Sequence, residues 1–116
     1  MSKLELLFIV LNEESYLDEL LQVFLELDVR GATVIDSVGM GQIISHSIPL
    51  FGGLRSLMSG TRPYNKTIFT AIDASKVPDV VKAFEQICGP LDEPGTGLIF
   101  TVPINFIKGL PGKSLS

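Results

Sequence analysis

The stretch Leu4-Glu5-Leu6-Leu7-Phe8-Ile9-Val10-Leu11 carries an apolar side chain at every position but one. A β-strand sends alternate side chains to opposite faces. Leu4, Leu6, Phe8 and Val10 then point one way, and Leu7, Ile9 and Leu11 the other. A strand that is apolar on both sides must be covered on both sides.

Working outward from this strand, the next segment has the signs of a helix. Ser15-x-x-Asp18 fits a capping box. Leu17, Leu20, Leu21, Phe24 and Leu25 recur at helical spacing, and Gly31 is placed to stop the helix near Val29. Ala32 to Val38 alternates β-branched residues and reads as a second strand. Thr67 to Ile72 reads as a third. Ser75 is placed to cap a second helix with Pro78 in its first turn. Its apolar stripe is Val77, Val80, Val81, Phe84, Ile87 and Cys88, and Gly89-Pro90 stops it. Leu98 to Val102, extending toward Ile104, reads as a fourth strand. The order β-α-β-β-α-β predicts an α+β, ferredoxin-like fold: a four-stranded antiparallel sheet with two helices on one face.

Two helices cover only one face of such a sheet. The second face does not turn polar. Phe69 and Ala71 oppose Ile68 and Ile72 in the third strand, and Leu98, Phe100 and Val102 oppose Ile99 in the fourth. Leaving that face wet forfeits several kcal/mol per subunit at ~25 cal/mol per Å². Self-association is the simplest cover, and folding back of the long loop or the tail is the alternative.

The whole chain is 116 residues, 46% hydrophobic and 19% charged. That is one domain, residues 1–116, with a core of its own. Mean hydropathy of +0.40 excludes disorder as the main state. A net charge of −4 argues against nucleic acid as a partner. One cysteine and one histidine rule out a disulfide framework and count against a closed zinc site. Glu5 interrupts the first apolar run, and no uncharged stretch nears the ~18 residues of a membrane span, so no membrane insertion is expected and the chain reads as cytoplasmic.

The second and third strands are separated by a long connection, Gly39 to Lys66, of a length that marks either a functional loop or a misassigned element. Between Asp36 and Asp73 there is no acid, only Arg55, Arg62 and Lys66 as charged side chains. A cationic, apolar segment in an acidic chain suits anionic ligands or an acidic partner. Leu50, Phe51, Leu54, Leu57 and Met58 share one helical face, and with Arg55 they form a candidate partner-docking set. The same face could instead pack within an oligomer of the chain. Two glycine stretches, Gly39-Met40-Gly41-Gln42 and Pro94-Gly95-Thr96-Gly97, could turn backbone amides toward an anion. Neither is a Walker A loop or a dinucleotide fingerprint, and a simple turn is the commoner meaning of each.

Gly31-Ala-Thr-Val-Ile-Asp-Ser-Val-Gly-Met-Gly41 and Gly95-Thr-Gly-Leu-Ile-Phe-Thr-Val102 resemble two stretches of the PII family of nitrogen-regulatory signalling proteins. These are the second strand with the base of the T-loop, and the B-loop leading into the last strand. The resemblance implies a ferredoxin-like homotrimer that binds an adenine nucleotide or a small anionic metabolite in clefts between subunits. It implies a T-loop, here residues 42–65, that contacts a partner protein such as a membrane transporter. It places Thr33 near the nucleotide, Gly39 and Gly41 at the T-loop base, Gln42 one position early for the effector glutamine, and Gly95, Thr96 and Gly97 in the B-loop. Leu98 stands where the family has a phosphate-binding lysine, which counts against ATP, and Lys108 alone stands for the arginines after the last strand. Residues 109–116, rich in Gly, Pro, Lys and Ser taken together, read as a mobile tail.

No catalytic set is found. His46 stands alone, Cys88 falls on an apolar stripe, and Asp92-Glu93 is an unsupported acid pair in a turn. The reading is therefore of a regulator rather than an enzyme. A ligand-free trimeric scaffold in the manner of the CutA family and a small ferredoxin-like enzyme stand as alternatives.

Overall fold

A computed structural model describes residues 3–40 and 64–110. The six main elements are β1 (Leu4–Leu11), α1 (Leu17–Glu26), β2 (Thr33–Val38), β3 (Tyr64–Asp73), α2 (Val77–Cys88) and β4 (Gly97–Pro103). The strands form one antiparallel sheet in the order β2-β3-β1-β4. This is the ferredoxin-like α+β arrangement the residue pattern predicts.

The register explains why β1 is apolar throughout. It is a central strand, with Phe8 opposite Phe69 of β3 and Phe100 of β4. Its odd-numbered residues Leu7, Ile9 and Leu11 join Ile68 and Ile72 beneath the helices. Leu20 and Phe24 of α1 and Val80 and Phe84 of α2 close that core, all nearly or wholly buried. Val81, expected on the same stripe, lies instead on an outer groove of α2 with Val77 and Pro78.

Both helices begin differently from expectation. A 3₁₀ turn, Glu14–Tyr16, precedes α1, and the Glu13 carboxylate accepts from the Ser15 amide at 3.4 Å. Ser15 thus donates its amide to the capping Glu13 and is not itself the cap. A second 3₁₀ turn, Ala74–Lys76, precedes α2, so Ser75 does not cap that helix either. Pro78 does sit in the first turn, where its missing N–H breaks no helical bond.

The end of α1 is also earlier than Val29. Asp28 takes the left-handed conformation at φ 63°. The Val29 amide reaches the Phe24 carbonyl at 2.7 Å, and the Asp28 amide reaches the Leu25 carbonyl at 3.0 Å. This is a Schellman termination with aspartate in the place usually taken by glycine. Gly31 is not the stop; it lies beyond the turn. Thr70 of β3, buried, donates its hydroxyl to the Gly31 carbonyl and so fixes where β2 begins.

β3 starts at Tyr64, three residues before the predicted start. Tyr64, Asn65 and Lys66 therefore belong to the sheet and not to the long connection. Lys66 is no free cation of that connection: it pairs with Asp36 across the β2–β3 ladder and with Glu14 at 3.8 Å. The Asp36 hydrogen bond holds the Lys66 ammonium above its ordinary value, with burial acting the other way. No helix among the described residues is long and apolar enough to cross a membrane.

Candidate functional site

The face of the sheet away from the helices carries the first functional feature. Phe69, Phe8 and Phe100 run across it in one row, Phe8 stacked on Phe100 at 4.8 Å and tilted against Phe69 at 5.9 Å. Leu98 is 54% exposed, Phe100 45% and Val102 39%. Ile35 of β2, on the same side as Thr67 opposite it, is 46% exposed. The alternation predicted for β1, β3 and β4 is thus realised, and among the described residues this face carries exposed apolar side chains. A polar patch lies at the end where β2 ends and β3 begins. There the Ser37 hydroxyl meets Thr67 Oγ1 at 2.7 Å and also reaches the Asn65 side-chain oxygen.

The residues named for ligand binding fall into two groups. Gly39 follows β2 and Gly97 opens β4, both at the sheet end marked by Leu11 and Tyr64. Between them stand β3 and β1, so three strand spacings, roughly 14 Å, separate the two. One chain does not bring its two glycine stretches together. Gly41 and Gln42 lie outside the described residues. So do Leu50, Phe51, Leu54, Arg55, Leu57, Met58 and His46, and with them the partner-docking set.

The loop before β4 is tied at both ends. Glu85 of α2 accepts from the Leu91 amide at 2.8 Å, and Asn12, just past β1, donates to the Gly95 carbonyl at 2.9 Å. Gly95 has φ +86° with open space where a Cβ would stand. Gly97 has φ +149°, and a Cβ there would come within 2.7 Å of the Val10 carbonyl and 2.9 Å of the Phe84 ring. The core beneath therefore demands glycine at 97, whatever ligand the loop holds. The charged side chains of this loop are Asp92 and Glu93, both exposed, which works against a phosphate.

Thr33 belongs to the second group. From Gly39 it lies six residues back along β2, roughly 20 Å. It lines a cleft of about 640 Å³ beside the start of β2. Leu6, Phe69 and Ala71 from the open face give this cleft an apolar floor. Asp28, Arg30, Asp73 and Lys76 bring charge to it, and Leu110 reaches it from beyond β4. Lys108 is exposed two residues before Leu110 and so belongs to this end of the molecule, away from Gly95 and Gly97. Residues 111–116 of the tail lie outside the described residues.

Arg30 and Lys76 escaped the sequence reading. Arg30 directly precedes the Gly31-Ala-Thr33 stretch, which was a signal of a kind. Lys76 comes from a turn 46 positions away, and only the packing of β2 against β3 unites the two. Cys88 is half-buried, and burial, with Glu19 nearby, pushes its thiol up to about 11, away from a reactive thiolate. Among the described residues no group of His, Cys, Asp and Glu could hold a metal ion.

No protein-family model matches the chain, and no curated protein matches it in sequence. Solved structures do match its fold. Arabidopsis thaliana PII bound to citrate aligns with a TM-score of 0.65 at 16% identity, over 98% of this chain and 87% of that one. The GlnK–ATP complex of B. subtilis aligns at 0.59 and 14% identity, over 92% of this chain and 87% of that one. A functionally unknown protein from Pediococcus pentosaceus aligns at 0.63 and 16%, over 95% of this chain and all of that one. The class is a ferredoxin-like α+β domain. Within it, the chain has a divergent PII-like fold.

Proposed function

We propose that the chain is a PII-like signal-transduction protein. Three copies cover one another's open sheet faces. A small anionic effector occupies the clefts between subunits, and residues 42–65 carry its occupancy to a partner protein such as a membrane transporter. The effector is unidentified: an adenine nucleotide and a small anionic metabolite both fit the reading, and Leu98 in place of a cation counts against ATP.

The observation that carries the reading is the open phenylalanine face, with Leu98, Phe100 and Val102 each between 39% and 54% exposed. A contiguous apolar face of this kind is the mark of an interaction surface. The separation of the two glycine stretches supports the same conclusion, because a neighbouring copy can set its β4 loop beside this chain's β2 and a single chain cannot. Proteins of this fold include one described with citrate and one described with ATP. No catalytic set is needed for such a role.

The test is sedimentation at micromolar concentration together with a thermal-shift screen of ATP, ADP, citrate, bicarbonate and 2-oxo acids. A trimer stabilised by at least one of these is the expected result. A monomer that responds to none refutes it. The acidic pair Asp92-Glu93 beside the glycine loop favours a second reading, a ligand-free trimeric scaffold, which a trimer silent to every compound would select.

A further inference from the structure

We infer that the anionic group of the effector is held by Arg30 and Lys76 at the cleft beside β2, in exchange for Asp28, and not at the glycine loop before β4. The inference rests on the effector-binding reading above and assigns its ligand contact.

The Asp28 carboxylate gathers two cations. Arg30 Nε donates to Oδ1 at 2.8 Å, and Lys76 Nζ stands 3.9 Å from Oδ2 while donating to the Asp28 backbone carbonyl at 3.1 Å. The two cations differ in freedom. The Lys76 side chain is 24% exposed and fixed by that carbonyl; Arg30 is 84% exposed and anchored at one atom. An exposed pair of this kind is worth little. A carboxylate or phosphate can therefore take the Arg30 guanidinium from Asp28 at small cost and gain a two-pronged contact. The apolar floor of Leu6, Phe69 and Ala71 receives the rest of the ligand, in a cleft whose size falls in the ordinary range for small molecules.

The glycine loop offers the opposite electrostatics. Asp92 and Glu93 flank it, and Leu98 follows it. Among the described residues, the carboxylates of Asp28 and Asp73 stand in the cleft beside the cations Arg30 and Lys76. The cleft favours an anion most when the charge of Asp28 is taken away. That gives the inference a signature of opposite sign. Removing a cation weakens binding, and neutralising Asp28 strengthens it. Asparagine tolerates the left-handed backbone at position 28, so Asp28→Asn isolates the charge.

The experiment is calorimetric titration of the full chain with citrate, ATP and inorganic phosphate, with circular dichroism confirming the fold of each variant. For whichever probe binds, Arg30→Gln is expected to weaken binding roughly three- to tenfold and Lys76→Gln about tenfold or more. Lys76→Arg should keep most of the affinity, Asp28→Asn should tighten it several-fold, and Gly95→Ala should leave it unchanged. Wild-type affinity in both Arg30→Gln and Lys76→Gln overturns the inference, as does weaker binding by Asp28→Asn. Loss confined to Gly95→Ala overturns it too, and leaves the effector-binding reading standing. A wild-type chain that binds none of the three probes overturns the inference, and the wider thermal-shift screen above then decides the effector-binding reading separately.

Discussion

Phe100→Asp is the sharpest perturbation of the open sheet face. The uncovered parts of Leu98, Phe100 and Val102, taken from their exposures, come to roughly 250 Å² per protomer. Covering them is worth about 6 kcal/mol at ~25 cal/mol per Å². Phe100 accounts for a little over a third of that, and a carboxylate brought into the interface adds a desolvation penalty of similar size or larger. A loss of about 3 kcal/mol per protomer is a conservative figure, and about 9 kcal/mol for three. The concentration at which a trimer half-dissociates scales as the square root of its dissociation constant, so the midpoint rises about a thousandfold. Sedimentation velocity over a dilution series reads this directly. Leu25→Asp is the matched control, since Leu25 is 65% exposed on α1, away from the open face. The expected result is a monomeric, folded Phe100→Asp chain beside a trimeric Leu25→Asp chain. An unchanged assembly in Phe100→Asp, or equal dissociation of both, would refute the argument that this face holds the copies together.

Three further outcomes are expected. Gly97→Ala should destabilise the fold by about 2–4 kcal/mol, because its Cβ meets the Val10 carbonyl and the Phe84 ring. Gly95→Ala, in open space at positive φ, should cost about 1 kcal/mol; chemical denaturation separates the two, and equal effects would contradict the packing argument. Cys88 has its pKa raised from 9.0 to about 11 in the fold. The folded state thus holds the proton where the unfolded state has released it, so the stabilisation is complete below pH 9 and is lost as pH rises toward 11. Alkylation by iodoacetamide at pH 8 should be much slower in the native than in the unfolded chain, and Cys88→Ala should flatten the alkaline fall in melting temperature. Thr70→Val should cost about 1–2 kcal/mol by stranding the Gly31 carbonyl, and should raise amide exchange at the start of β2 above that of β4.

How much of this was legible in the sequence depends on the range of the interaction that decides each feature. The strands were readable because alternation is local and the sheet uses both of its faces. Leu7, Ile9 and Leu11 against Leu6, Phe8 and Val10 needs no partner to be recognised. The second face was readable for the same reason, since Phe100 and Val102 announce it within one strand. Helix starts were not, because Glu13 and the 3₁₀ turns settle them by backbone geometry that Ser15 and Ser75 only imitate. The end of α1 was missed because aspartate at 28 does what glycine ordinarily does. Its identity makes sense only once Arg30 and Lys76 are seen on either side of it. Thr33 was found through resemblance, but its neighbours in the cleft come from the turn after α1, β1, β3, the turn before α2 and the segment after β4. No spacing rule collects residues from five such places.

The same topology separates two kinds of binding site by experiment. A site built from Gly39 and Gly95–Gly97 needs two copies, because three strand spacings keep those residues apart in one chain. Its affinity must then fall when the assembly falls apart, and ligand must drive assembly by the same factor. The Arg30–Lys76 pair is complete within one chain. An anion held there keeps its dependence on Arg30 even in a monomer, although the monomer leaves the apolar floor of the cleft uncovered. Titrating the Phe100→Asp chain therefore divides the contributions. Binding that weakens but still responds to Arg30→Gln and Asp28→Asn places the charge recognition inside the chain, with the neighbour supplying cover. Binding that vanishes altogether places the recognition between chains, where the two glycine stretches first meet.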